Sequence, residues 1–597
     1  MNKDENESEK EEIARRIENC HRSGGEVLDL SSLNIEELPV EVKELKNLIS
    51  LDVSCNQLKI LPEWIGSITS LKKLYLSGNE KLNSLPMNLK RLCNLEHLNI
   101  SELPLGKFPK SIRNLKKLKS LSFGGVYKPR GRFSGSGTYP KTLDVPRWIV
   151  EFSNLEYLYM GKAVEKIPAS IGCLKKLKSL HIGENKIKVL PVSIGKLSSL
   201  KELNIYNCGL ETLPGSLCNL SSLKVLTLYG TKVRALPESF ENLKSMKELE
   251  ISFSRLRVLP ESFGNLKSLK RLRIYRVFPL KALPESFGNL ASLRYLETDC
   301  QKLPESFGNL SSLRYLTIRS SFSEMSHLPD SLGNLKNLKY LSIWAKRLEV
   351  LPDSIGNLEK LNELSIEDAG FSSLPETIGN LRSLTKLSLC GTLVKTLPDS
   401  IGNLSKLEDL FLNNCAELES LPETIGKLCS LKVLFIRGGK LRLLPESIGD
   451  LNSLLGLILQ YTNIESLPSS IGNLANLNSL AIFSSQIGKY GLDVSDFRIW
   501  CRDEGIKRKS LFTGLPDTIR GLSSLKFLKL SDTEITSLPD FLGELPDIQK
   551  IDISGCNIKT IPPAIQRLVD SGQLFILREK KDVEAWIDFR MAKNAPA

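Results

Sequence analysis

Hydrophobic and polar positions in this chain recur in one fixed frame. In the stretch from Leu48 to Ile68, Leu51 and Val53 alternate with Ser50, Asp52 and Ser54. A period of two predicts a short strand with one buried face and one wetted face. Asn56 follows, and its side-chain amide is suited to bonding the backbone of a loop. Leu58, Leu61, Ile65 and Ile68 then fall at spacings of three and four, which predicts a helical turn on the opposite side. Pro62 suits the first position of that turn, where its missing N–H costs nothing. The frame repeats, usually every 23 residues, and its Leu-Pro mark (Ile, Val or Phe before Pro in places) runs from Leu38-Pro39 to Ile561-Pro562. Units of this length touch only their neighbours and stack into a solenoid.

The expected architecture is an α/β solenoid of horseshoe form. It has a parallel concave sheet of about 22 strands and short helical turns on the convex side. Its ends need caps. Residues 1–26 read as an N-terminal helical cap, with Ser8 and Glu11 placed as a capping box for a helix reaching Arg22. Residues 27–562 form the solenoid, and 563–597 a C-terminal cap with a closing helix from Asp582. With both caps the chain reads as whole. Insertions near 124–141 and 487–514 interrupt the period and mix aromatic with basic residues, among them Arg130, Phe133, Tyr139, Tyr490, Trp500 and the run Lys507-Arg508-Lys509. Each is either part of a binding face or a tolerated surface loop.

Composition narrows the classes. No apolar run is long enough to span a membrane, and the acidic start, Met1 to Glu12, lacks a secretory h-region. The twelve cysteines are scattered, several at the small-residue position that follows a strand (Cys208, Cys415, Cys556), which argues for reduced thiols and a cytoplasmic location. A net charge of +13 is mild for 597 residues and comes largely from lysines on the turn side, such as Lys175, Lys176 and Lys178. His21, His97, His181 and His327 have no paired metal spacing, and no phosphate loop, dinucleotide fingerprint or serine elbow is present. Neither cofactor nor metal is expected.

The wetted strand positions carry the candidate chemistry. They bring Tyr157, Tyr159, Tyr206, Tyr229, Phe253, Arg271, Arg273, Tyr275, Tyr295, Tyr315, Arg319, Tyr340, Trp344, Phe411, Phe435 and Arg437 to one face. Tyr, Trp and Arg dominate binding hot spots. Glu202, Glu248, Glu250, Glu297 and Glu363 lie among them, and mixed charge suits a protein partner better than a phosphate backbone. The competing reading is that strand propensity alone places aromatics there.

Repeats such as Leu397-Pro398-Asp399-Ser400-Ile401-Gly402-Asn403-Leu404 and Leu467-Pro468-Ser469-Ser470-Ile471-Gly472-Asn473-Leu474 resemble the 23-residue class of intracellular leucine-rich repeats. That class includes Ras-pathway scaffolds and the repeat regions of plant disease-resistance receptors. Gly391-Thr392 and Asn414-Cys415 are similar to the plant receptors, whereas Ile13 to Ile17 leading into Leu28-Asp29-Leu30-Ser31 resembles bacterial intracellular repeat proteins. The resemblance implies protein recognition. The receptors' nucleotide-binding domain and the GTPase domain of Roco-type proteins have no counterpart in this sequence.

The expected function is therefore a non-enzymatic, monomeric interaction module or signalling scaffold. It holds a protein partner on its concave face and binds neither nucleic acid nor membrane. Two alternatives stay open. One is a bacterial effector acting on host proteins, by binding only or as a ubiquitin ligase through Cys501 in Cys501-Arg502-Asp503; the other is recognition of the immune-receptor kind.

Overall fold

The computed structural model describes residues 3–124, 143–277, 280–320, 325–484 and 510–579. The chain divides into two units, Met1–Leu293 and Arg294–Ala597. Among the described residues the first unit holds eleven strands, from Val27–Asp29 to Arg271–Tyr275. The second holds twelve, from Tyr295–Thr298 to Phe575–Leu577, so the total exceeds the expected 22 by one. Within each unit, strands pair in parallel with equivalent residues of successive repeats side by side. Leu51 lies beside Leu74 and Leu203 beside Leu226 in the first unit; Leu387 lies beside Leu410 in the second.

The repeat at Leu48 shows why the sequence folds this way. Leu51, Val53, Leu58 and Ile65 are fully buried, and burial of each such side chain stabilises the fold by roughly 1.5–3 kcal/mol. The convex turn, Glu63–Ser67, is a 3-10 helix. Pro62 stands just before it with extended backbone (φ −68°, ψ 148°) and not at its first position, which corrects the sequence expectation. Its carbonyl accepts the Ile65 N–H at 3.1 Å and so starts the turn. The Glu63 carboxylate accepts the N–H groups of Met87 and Asn88 in the next turn, at 3.2 and 3.0 Å. Glu376, Glu423 and Glu446 do the same in the second unit, for Ser400, Ser447 and Ser470. These acids satisfy turn donors that would otherwise lack partners.

Buried amides tie repeat to repeat. Asn56 Oδ1 accepts the Leu33 and Ile35 N–H groups at 3.0 Å, while its Nδ2 donates to Leu30 O at 2.7 Å and to Val53 O at 3.0 Å. Asn79 continues the ladder, accepting from Leu58 N–H and donating to Val53 O. In the second unit, Thr392 and Cys415 occupy the same place, as do Thr533 and Cys556, whose thiol and hydroxyl groups touch at 3.4 Å.

The N-terminal helix spans Lys3–Arg22 and begins ahead of Ser8, so Ser8 is not its cap. Gly24 and Gly25, at φ 99° and 76°, turn the chain into the first strand. At the other end an amphipathic helix, Pro563–Asp570, precedes the last strand. The closing helix expected from Asp582, residues 125–141 of the first insertion and 487–509 of the second lie outside the described residues.

Alternating burial leaves one sheet face open through most of the described strands, as in Glu202–Tyr206 and Arg271–Tyr275. Three strands of the second unit differ: Val433–Arg437, Gly456–Gln460 and Ser479–Phe483 are buried on both faces. Phe411, Val433, Phe435, Ile458, Ala481 and Phe483 form an apolar cluster there. The expectation that Phe411, Phe435 and Arg437 face solvent therefore fails: they are 9%, 0% and 2% exposed. The cause is legible in composition, since Val433-Leu434-Phe435-Ile436 is a continuous apolar run, the pattern of a strand covered on both sides.

Candidate interaction face

In the first unit the strands Tyr157–Met160, Ser179–Gly183, Glu202–Tyr206, Val225–Tyr229, Glu248–Ser252 and Arg271–Tyr275 lie side by side and set the face. Tyr206 and Tyr229 are register partners on adjacent strands. The Tyr229 ring meets Phe253 at 5.0 Å, and Phe253 meets Tyr275 edge-on at 5.7 Å. The Arg276 guanidinium lies 5.1 Å from the Phe253 ring and 5.5 Å from that of Tyr275. This is a row of aromatics with a cation laid on it, a contact strengthened by desolvation.

Phe253 is one residue beyond its strand, not on it as expected, and has φ 53°. The same position is left-handed in the neighbouring repeats, where it is held by Asn207 and Gly230, residue types that tolerate that backbone, and by Glu184 and Arg276. A bulky aromatic in that conformation is an outlier that carries strain. The residue is nonetheless 38% exposed.

Further along, Tyr157 and His181 rings lie 5.1 Å apart. His181 is bracketed by Ser179 Oγ, 2.8 Å from Nε2, and Asn204 Nδ2, 3.3 Å from Nδ1. Asn204 Nδ2 also donates to Glu202 at 2.6 Å, which fixes the amide's orientation. Burial pushes the imidazole below its ordinary value, although Glu202 opposes this. Burial, then the Tyr206 hydroxyl, pushes the Tyr159 hydroxyl well above the usual phenol value. Arg273 pairs with Glu250 at 3.7 Å, and Arg271 is exposed.

The second unit carries its own set. Tyr295, Tyr315 and Tyr340 stand in register on three adjacent strands, and Tyr315 is 47% exposed. Arg319 sits beside Trp344 and forms an ion pair with Glu297 at 3.0 Å. Trp344 Nε1 donates to Asp368 at 3.0 Å. The sequence places Asp368 and Arg276 on the open face but does not pair them with Trp344 and Phe253. Cys501 lies outside the described residues. Among the described residues, no helix is long and apolar enough to cross a membrane.

Successive strand, buried-amide and 3-10-turn units define a parallel repeat solenoid. The chain belongs to the leucine-rich repeat family. The family model described as "Leucine-rich repeat region" matches residues 26–128, 208–319, 299–410 and 363–437, more than half of the chain, and two further leucine-rich repeat models match 174–233 and 547–568. A leucine-rich repeat protein of Leptospira interrogans is similar at 26% identity, with 78% of this chain and 98% of that one covered and a TM-score of 0.51. A TDR receptor shares the fold at 23% identity, with 93% of this chain and 92% of that one covered and a TM-score of 0.51. Over 67 residues, 11% of the chain, it is 34% identical to the probable inactive serine/threonine-protein kinase roco10 of Dictyostelium discoideum, and it spans 2% of that protein. Repeats of this family are protein-interaction modules.

Proposed function

We propose that the chain is a non-enzymatic binding module that holds a protein partner on the open face of its first unit, as a scaffold in an intracellular signalling setting. The observation that carries this is Phe253: a left-handed backbone position that asparagine and glycine fill in the two preceding repeats here holds a partly exposed aromatic between Tyr229 and Tyr275, with Arg276 of the next repeat laid against it. Strain of this kind persists where function requires it. The half-buried tyrosines offer large contact area with a polar tip at low entropic cost. Exposed free thiols at Cys55, Cys93, Cys173 and Cys429 fit a reducing compartment. Tyr295, Tyr315, Arg319, Tyr340 and Trp344 form a second candidate set on the other unit.

The test is partner capture with the full chain, followed by titration of the purified partner. Phe253→Ala combined with Tyr275→Ala is expected to weaken binding by about 2 kcal/mol or more. Unchanged affinity in that variant would reject the site.

A further inference from the structure

One register position of the first unit carries a charge in almost every repeat. It is the residue immediately before each strand, and backbone hydrogen bonds stack it on its neighbours. Lys72 O accepts Glu96 N–H, Glu96 O accepts Lys119 N–H, and the series continues through Glu156, Lys178, Lys201, Lys224, Lys247 and Lys270, each bond 2.7 or 2.8 Å. Up to Lys178 the signs alternate and the charges pair: Lys119 with Glu96 and Lys178 with Glu156, both at 2.7 Å. Beyond it the alternation stops. Lys178, Lys201, Lys224, Lys247 and Lys270 follow one another, all exposed, at the strand spacing of about 4.8 Å. The last four make no ion pair among the described residues. Glu202 and Glu248 follow two of these lysines in sequence but stand on the strand, where Glu202 is bonded to Ser179 and Asn204.

Like charges stacked side by side on neighbouring strands repel and destabilise the fold. The first half of the column shows the neutral solution available to this repeat, and the second half departs from it. The geometry points to a docking lane for a linear polyanion along Lys178 to Lys270, and we infer that its occupant is an extended acidic polypeptide segment. Ser199, Ser222, Ser245 and Ser268 flank the lane, exposed Lys244 and Lys267 add charge beside it, and the turn segments 197–200, 220–223, 243–246 and 266–269 hold no aromatic on which a base could stack. Attachment to a membrane surface joins cations to inserted apolar side chains, and these segments place their leucines in the core. An extended peptide advances about 3.3 Å per residue, and the flexible lysine stems absorb the mismatch with the strand spacing. This surface is separate from the aromatic face and stands independently of it.

The probe is a fluorescein-labelled poly-glutamate peptide, followed by anisotropy with the full chain across a salt series. One variant combines Lys201→Ser, Lys224→Ser, Lys247→Ser and Lys270→Ser. A charge-matched control combines Lys166→Ser, Lys188→Ser, Lys232→Ser and Lys281→Ser on exposed positions elsewhere in the unit. The lane variant is expected to bind about 10-fold more weakly, with a flatter salt dependence, and the control within about 2-fold of the parent. Phe253→Ala with Tyr275→Ala leaves this binding intact. Relief of repulsion keeps the lane variant's melting temperature at or above the parent's; if it fails to fold, Lys224→Gln with Lys247→Gln provides the same readout. No binding by the parent, or equal loss in lane and control variants, overturns the inference. Mixed-sequence duplex DNA or phosphatidylserine vesicles displacing the peptide from the lane at lower concentration overturns the assignment to a polypeptide.

Discussion

The Tyr206 ring occupies the space beside Gly183 on the preceding strand that a methyl group there would fill. Gly183→Ala is therefore expected to push the ring off its rotamer at a cost of about 1 kcal/mol. In a Tyr206→Ala background the same substitution should cost nothing. Urea midpoints of the four proteins give the coupling, and a penalty that persists without the tyrosine ring would refute the contact.

Phe253→Asn should separate stability from recognition. Asparagine tolerates the left-handed backbone, so the variant is expected to gain up to about 1 kcal/mol in denaturant unfolding. Its affinity for a captured partner should fall in the same protein. A variant both less stable and equally competent in binding contradicts the strain at this site.

Asn56→Ala removes acceptor and donor from a fully buried rung. Leu33 N–H, Ile35 N–H and Leu30 O all lose their partner. The loss should reach about 3 kcal/mol, because orphaned buried groups cost more than the bonds contribute. Hydrogen exchange at the Leu33 and Ile35 amides should accelerate first, ahead of amides several repeats away.

Acidification should loosen the fold through its half-buried histidines. Burial lowers the values of both His181 and His97 from an ordinary 6.5. Unfolding restores them, so below about pH 6.5 the unfolded chain binds more protons and stability falls as pH drops toward the folded values. His181→Gln should reduce the difference in urea midpoint between about pH 7.5 and about pH 5.5. An identical difference in variant and parent would show that His181 does not report on folding.

Thiol reactivity should sort by burial. Desolvation pushes the Cys300 thiol up to about 12, so its thiolate is scarce at neutral pH. Native-state alkylation read by mass spectrometry should mark Cys55, Cys93, Cys173 and Cys429 first and leave Cys300 and Cys415 unmodified until denaturant is added.

Most of the repeat was legible because its physics is local. Leu51 and Val53 announce a strand by alternation, Asn56 a buried amide, and Leu61-Pro62 the start of a turn. The errors arose where a residue's setting depends on more than its period. Pro62 stands ahead of the turn because its carbonyl, not its ring, begins the 3-10 hydrogen bonding. Projecting alternate positions puts Phe435 and Arg437 in solvent, because it assumes that one face is wet. The runs Val433 to Ile436 and Gly456 to Leu459 had already lost the polar half of the pattern. Phe253 and Arg276 lie outside the strand frame that alternation assigns them, because each follows the last strand residue, where backbone conformation aims the side chain.

The carboxylate that reaches from one turn to the N–H groups of the next works in a single direction along the chain. Glu63 serves Met87 and Asn88, and Glu446 serves Ser469 and Ser470. A break between two repeats therefore yields unlike halves: the upstream piece keeps an idle acid, which water accommodates readily, while the downstream piece begins with bare donors. Shortened proteins retaining the leading portion should tolerate their new terminus better than those retaining the trailing portion, and duplication of a whole unit conserves the handover at both of its joints.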